Sequence, residues 1–529
     1  MANKLKFTNQ EEKQLLELFK TEKDITSLAK EFCKLNKKYE YQDGIRRAIS
    51  RVLERYGVTD NKITLEQSEQ FISARKRILV DSKFYFFTYE QNETPLHENF
   101  YENILSYKKY LNAELGVILG RFKNPTSLFP ERKNENWNER TRPYWSSTRH
   151  DIHPFLTVLA DVKISPTAKY PLTSKQGLSQ GKSVIVGHPK LHLKTEPTLN
   201  GYANKIVLTT GAITMPNYTD SERGKIAENS HKFGFVIVEI RDEKIFHIRQ
   251  VEADKDGNFI DLIHEVKDQQ ISIVDYAEGL VCGDSHGNQV IPEIDKANDE
   301  ICERFNIKKL VMHDVIDGES CNNHILKDPI QQYERLQKGK HLIENELTEL
   351  ENWLEPKLKY GIIIPAANHN DRFDRILQQD WRKDIPNSLF YFKYTTAVME
   401  GKAEKGVVAY YLHKKFGDKI ITLSTQDSCI IGKYECALHG DHGTNGSRGS
   451  NTGFRNLDIP MIKAHDHSTY RADDLFGVGH NIIDQKYASK GASSWSVSNV
   501  LIAKNKIAQH IIFTKGLCTT FDLQLIKKI

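Results

Sequence analysis

Five short apolar runs, each ending in Asp, His or Asn, constrain this chain more than any other feature. Gly279, Leu280, Val281 and Cys282 precede Gly283-Asp284-Ser285-His286-Gly287. Lys309, Leu310, Val311 and Met312 precede His313-Asp314-Val315-Ile316-Asp317-Gly318, and the run from Gly361 through Ile364 precedes Asn368-His369-Asn370-Asp371. Cys436, Ala437 and Leu438 precede His439-Gly440-Asp441-His442, and Ile459 through Ile462 precede Ala464-His465-Asp466-His467. Such runs read as buried strands of a layered α/β domain. A side chain just past a buried strand projects into the crevice where α/β sheets place their chemistry. The order therefore predicts one site assembled from five distant segments.

Taken singly, the pieces say little. A lone Gly-Asp-Ser-His-Gly is more often a turn than a ligand pair, and Asn-His is common in loops. Jointly they form a donor set of carboxylate, imidazole and amide oxygen, which suits manganese, iron or zinc. Two such ions roughly 3.5–4 Å apart can clamp a phosphate and lower the pKa of a water between them. No pair of cysteines has zinc-finger spacing, and Cys321-x-x-His324 stands alone.

The order Asp-x-His, Asp-x-x-Asp, Asn-His, His, His-x-His resembles the calcineurin-like metallophosphoesterase superfamily. The resemblance runs from about residue 270 to the end and takes Ser494–Ile502 and Ile511–Phe513 as closing strands. It implies that Asp284, His286 and His467 hold one metal, that Asn368, His439 and His465 hold the other, and that Asp314 bridges. It implies two divalent ions, Mn2+ first among the candidates. His369 would stand near the leaving group as proton donor or electrostatic stabiliser without binding metal. Departures from the family pattern are His313, Ala367 and Ala464 where it usually has Gly, and Gly318 where protein Ser/Thr phosphatases carry Arg. His313 adds a ligand or replaces a turn; Gly318 argues against a phosphoprotein phosphatase. His439 and His442 compete for one slot, and His439, the first polar residue after its strand, is preferred.

At 529 residues the chain exceeds one ordinary core. The expected fold class is α/β: a C-terminal layered α/β/β/α metallophosphoesterase domain over 270–529, preceded by an α/β and β-rich middle domain over 75–265. A small three-helix unit over 1–60 would lead both. No apolar run approaches the roughly 20 residues that span a bilayer, and the amino terminus has no apolar signal core. Seven cysteines without framework spacing suit a reducing compartment. These features predict a cytoplasmic protein with no membrane partner. A net charge of +4 leaves nucleic-acid affinity to local patches. A homo-oligomer is compatible with the sequence.

In the first 60 residues, Thr8-Asn9-Gln10-Glu11 predicts a capping box. Leu15, Leu16, Leu18 and Phe19, then Ile25, Leu28, Ala29 and Phe32, then Ile45, Ile49, Val52 and Leu53 give three apolar faces. Arg47, Arg51 and Arg55 recur at four-residue steps on the third helix, as in a helix-turn-helix unit whose last helix meets DNA. A basic face on a packing or assembly element is the alternative. Lys83–Tyr89, a helix around Phe100–Leu111 and Leu115–Gly120 predict a β–α–β unit. Arg140, Arg142 and Arg149, interleaved with Trp137, Tyr144 and Trp145, either clamp a nucleic-acid strand or pack on their own domain. Residues 326–357 predict one long amphipathic covering helix. The Gly-rich stretch 440–450 lacks a phosphate-loop Lys and is either a loop bringing Arg448 to substrate or a plain turn.

A metal-dependent DNA phosphodiesterase is the leading expectation, because a small phosphomonoester would not need the helical head or the large middle region. The layout also resembles the pre-early host-DNA-degrading nucleases of T-five-type coliphages, which implies an enzyme that destroys host DNA in the infected bacterial cytoplasm. The alternatives are a phosphomonoesterase or small-nucleotide phosphodiesterase, and a DNA-binding regulator with a structural metal domain.

Overall fold

The computed structural model describes residues 7–19, 25–39, 45, 48–49, 52–53, 84–122, 136–199, 204–483, 491–514 and 517–518. Its fold is mixed α/β, and the sheets stack in layers. A seven-stranded sheet runs Ile420–Thr422, Ile362–Ile364, Leu310–Met312, Ala277–Cys282, Val497–Ala503, Ala508–Thr514, Leu517–Cys518. Its first four strands are parallel, so their carboxyl ends share one edge. Helices Pro292–Arg304, Ile343–Leu354, Ser388–Met399 and Val407–Phe416 lie in the connections, as parallel crossovers require.

Burial on both faces explains the apolar runs. Leu280, Leu310 and Ile362 face the helices, while Val281, Val311 and Ile363 face a second sheet. That sheet has ten strands, in the order Ile430–Ile431, Tyr434–Glu435, Met461–Lys463, Leu475–Gly477, Tyr470–Ala472, His192–Glu196, Lys205–Thr209, Ser183–Val186, Leu156–Val158, His150–His153. Tyr470–Ala472 pairs antiparallel with His192–Glu196, so the middle region and the C-terminal half share one continuous sheet. A five-stranded sheet packs Tyr85, Phe87, Val236 and Val238 against Leu156, Ile185 and Leu208 of the ten-stranded one. Within it Phe84–Gln91 and Glu114–Gly120 are parallel and joined by helix Glu98–Tyr110, the β–α–β unit expected from the sequence.

Thr8 caps helix Asn9–Leu18 in a capping box with Glu11. Leu15, Leu28, Ala29, Phe32, Ile45, Ile49, Val52 and Leu53 form the core of this amino-terminal unit. Arg47, Arg51 and Arg55 lie outside the described residues. Among the described residues no helix is long and apolar enough to cross a membrane.

One expectation is corrected. Residues 326–357 form separate helices, Pro329–Gln337 and Ile343–Leu354, because the chain turns through Gly339 at φ 67°. Leu336 is left exposed while Ile343, Leu347, Leu350 and Leu354 enter the core, so the apolar spacing was continuous but the face was not. Of the two readings of the Arg and Trp residues after position 136, packing on their own domain is the one the structure supports. Trp137 and Trp145 are buried edge-to-face, Arg140 pairs with Glu98 and Glu102, and Arg149 lies 3.4 Å from Asp161.

Candidate metal centre

The five polar tips converge where the carboxyl ends of strands from the two large sheets meet. Ala277–Cys282, Leu310–Met312 and Ile362–Ile364 deliver Asp284 and His286, Asp314, and Asn368 and His369 from the seven-stranded sheet. Tyr434–Glu435 and Met461–Lys463 deliver His439, and His465 and His467, from the ten-stranded sheet. Gly283 makes the first approach possible, since a Cβ there would sit 2.5 Å from the Gly479 carbonyl oxygen.

Asp284, His286, Asp314, His439 and His467 are all buried. His467 Nε2 lies 2.7 Å from Asp284 Oδ2, and His439 Nδ1 lies 3.9 Å from Asp284 Oδ1. Asp314 Oδ2 is 3.4 Å from His439 Nε2, 3.7 Å from His286 Nε2 and 4.0 Å from His369 Nε2. Asn368 Oδ1 faces His439 Nε2 at 2.9 Å and His465 Nδ1 at 3.1 Å. Among the described residues three sets could hold a metal ion: Asp284, His286 and His467; Asp284, Asp314 and His439; and His286, Asp314 and His369. The last set includes His369, which the family resemblance keeps off the metal. His442 is turned to solvent and pairs with Asp441 at 2.8 Å, so His439 is the one that reaches Asp314.

Electrostatics and backbone both mark the site. Full burial opposes ionisation of Asp284, yet the imidazoles of His439 and His467 hold it well below the ordinary carboxylate range. Asp314 is held low against the same desolvation by His369 and His439. Burial lowers His286 and His439 in turn, but the carboxylates of Asp314 with Asp317, and of Asp314 with Asp284, raise them to about 10 and about 9. Four of these residues sit in the left-handed region: His286 at φ 47°, Asp314 at 43°, His465 at 73° and His467 at 55°. Such non-glycine backbone costs of order 1–3 kcal/mol per residue and persists where the surroundings over-determine it.

The donor set fits a divalent cation on one further observation. Among the described residues Asp284 Oδ1 is buried without a hydrogen-bond donor, its nearest imidazole nitrogen being His439 Nδ1 at 3.9 Å, while Oδ2 meets His467 Nε2 at 2.7 Å. A buried carboxylate in that condition is costly unless a cation answers it. Oxygen and imidazole donors, with Cys282 packed on the helix side instead, match manganese, iron or zinc better than a soft-metal site.

Sequence reasoning left out the second ring of partners. Asp317 accepts from His286 Nδ1 at 2.9 Å, and its Asp314-x-x-Asp317 spacing was the signal for it. Arg372 donates from Nη1 to the Asp317 carbonyl at 2.6 Å and from Nη2 to His369 Nε2 at 3.1 Å. It occupies the space beside Gly318, where a Cβ would lie 3.0 Å from Arg372 Cδ. His313 is buried between the tips with its ring 5.6 Å from that of His439, and among the described residues neither of its nitrogens has a hydrogen-bond partner. Burial and the neighbouring His439 push His313 down to about 3. The 440–450 stretch is an organised turn closed by Gly443 N–H to the Ser447 carbonyl and a bridge between His442 and Arg448.

This chain is similar to Protein A1 of Escherichia phage T5. The two are 26% identical over 481 residues, which cover 86% of this chain and 84% of the phage protein. No family model and no solved structure matches the chain.

Proposed function

We propose that this chain is a metal-dependent DNA phosphodiesterase of the metallophosphoesterase type, with two divalent ions, Mn2+ first among them. The observation that carries the reading is the buried carboxylate of Asp284, ringed by His439 and His467 and with Oδ1 lacking a donor among the described residues. Asp284, His286 and His467 would hold one ion, Asn368, His439 and His465 the other, and Asp314, within reach of both imidazole sets, would be shared. Bound there, the ions supply Lewis-acid polarisation of the phosphate and acidify a water.

The chain's own residues do the remaining work. The Asp317 carbonyl can only accept, so His369 must carry its Nδ1 proton and present Nε2 to the site. In this arrangement Arg372 donates to Nε2. When Arg372 turns to a phosphate oxygen, Nε2 is released to hold a proton beside the leaving oxygen. Asp317 fixes the orientation of His286 from behind. Gly318 leaves room for Arg372, which supplies from helix Arg372–Ile376 the cation that this slot lacks.

DNA is the proposed substrate, with Arg47, Arg51 and Arg55 as phosphate contacts on the amino-terminal unit. The likeness to a phage T5 protein supports a phage origin and a role in degrading host DNA, because the sequence layout resembles the nucleases of that phage group. The full chain with Mn2+ should nick supercoiled plasmid and hydrolyse bis(4-nitrophenyl) phosphate, and a chelator should stop both. Hydrolysis of 4-nitrophenyl phosphate alone would favour a phosphomonoesterase. DNA binding with no turnover of any ester would favour the regulator with a structural metal domain.

A further inference from the structure

A second cleft, of about 830 Å³, opens at the other end of the strand that carries the His-x-His tip. Ile459 and Pro460, just before Met461–Lys463, line it, whereas His465 lies just beyond that strand. Its walls come from both halves of the chain: Lys169, Lys190, Arg223 and Lys232 from the middle region, Arg455, Asp473 and Asp474 from the C-terminal half.

The charge inside it is unbalanced. Asp474 is answered by Lys232 and Lys433, each at 3.0 Å, and Asp473 by Arg455 at 3.2 Å and His192 at 3.3 Å. Lys190 is 1% exposed, and among the described residues nothing hydrogen-bonds or ion-pairs with its ammonium group. Burial lowers its affinity for a proton, and the attraction of nearby Asp473 offsets this only in part. The Nη1 group of Arg455 is likewise buried without a hydrogen-bond partner, while Nη2 is fixed on Asp473 and the Lys169 carbonyl. Tyr170 lies against the guanidinium at 4.8 Å and sets its plane. Arg223 is exposed at the mouth, and the remaining acid, Asp458, is exposed at the rim.

We propose that this cleft binds the phosphate group of a nucleotide, with Lys190 and Arg455 as its inner ligands and Arg223 at its mouth. A buried ammonium and a free guanidinium edge are what a phosphate oxyanion needs, since such charge-assisted bonds are short and strong. The volume falls in the range of small-ligand sites rather than of a bare ion. The phosphate belongs either to a free mononucleotide or to a DNA strand, and the chemistry of recognition is the same.

Isothermal titration of the full chain in EDTA, with the metal centre out of play, tests this. Deoxyadenosine 5′-monophosphate should bind at one site and deoxyadenosine should not. Lys190→Met and Arg455→Gln should each weaken binding roughly tenfold or more, Arg223→Ala severalfold, and Asp314→Ala not at all. Arg223 is exposed, so its variant reads the site even where the buried substitutions unfold the chain. If a short single-stranded oligonucleotide binds in a Lys190- and Arg223-dependent way while the mononucleotide does not, the phosphate is that of the strand and the site stands. Absence of binding by both probes, or binding unchanged in all three cleft variants, overturns it.

Discussion

His369 Nδ1 lies 2.8 Å from the main-chain carbonyl of Asp317, which fixes the imidazole tautomer and aims Nε2 at the convergence of the five strand tips. A ring held in this way is set for proton or charge transfer. His369→Ala should lower turnover by about 10²–10⁴, the usual contribution of a positioned acid or charge stabiliser, with metal content measured by elemental analysis unchanged. Loss of metal in that variant would make His369 a ligand, as its grouping with His286 and Asp314 allows. Arg372→Gln, which keeps a donor but removes the charge, should lower activity less and chiefly through weaker substrate binding.

The proposed DNA contact rests on spacing. Four-residue steps advance about 400° on a helix, so Arg47, Arg51 and Arg55 would fall on one stripe. Replacing all three with Glu should weaken DNA binding and flatten its dependence on salt, because each lost phosphate contact removes part of the counterion release. Hydrolysis of bis(4-nitrophenyl) phosphate should survive. Unchanged affinity and salt slope would make the amino-terminal unit a packing element.

What the sequence made legible, and what it hid, follows from the range of the interactions. The strand tips could be read because burial on both faces makes runs such as Leu280-Val281-Cys282 continuous and leaves the next polar residue conspicuous. The joining of Tyr470–Ala472 to His192–Glu196 could not, because hydrogen-bond pairing between distant strands leaves no periodic trace. Arg372 was missed for a similar reason. It lies at the start of the short helix Arg372–Ile376, and only the fold brings it over Gly318 and His369. The apolar spacing through 326–357 misled because Leu336 and Ile343 fit one helical phase although the chain turns between them. His439, four residues past Glu435, is buried beside Asp314, whereas His442 is exposed beside Asp441.

Stability should carry a pH signature from Glu90, far from the metal centre. Full burial raises this carboxyl to about 7, although Thr141 Oγ1 at 2.5 Å and the Asn138 amide at 2.6 Å favour its charge. The folded chain then keeps a proton that the unfolded chain releases, so this contribution is full below about pH 4.5 and is lost as pH rises to about 7. At about 1.4 kcal/mol per pH unit the loss is about 3 kcal/mol at most. Glu90→Gln should therefore melt close to the parent at pH 5 and above it at pH 8. Parallel melting curves at both pH values would contradict the assignment.

Asp314 is the carboxylate proposed to be shared by the two ions, and both depend on it. Elemental analysis and plasmid cleavage should be measured on the full chain and on Asp314→Ala, both loaded with Mn2+ and freed of excess. The parent should hold two ions and cleave. The variant should lose bound metal and all cleavage while its circular dichroism stays that of the parent. Two ions still bound to a folded Asp314→Ala protein, active or inactive, would contradict the shared-carboxylate centre.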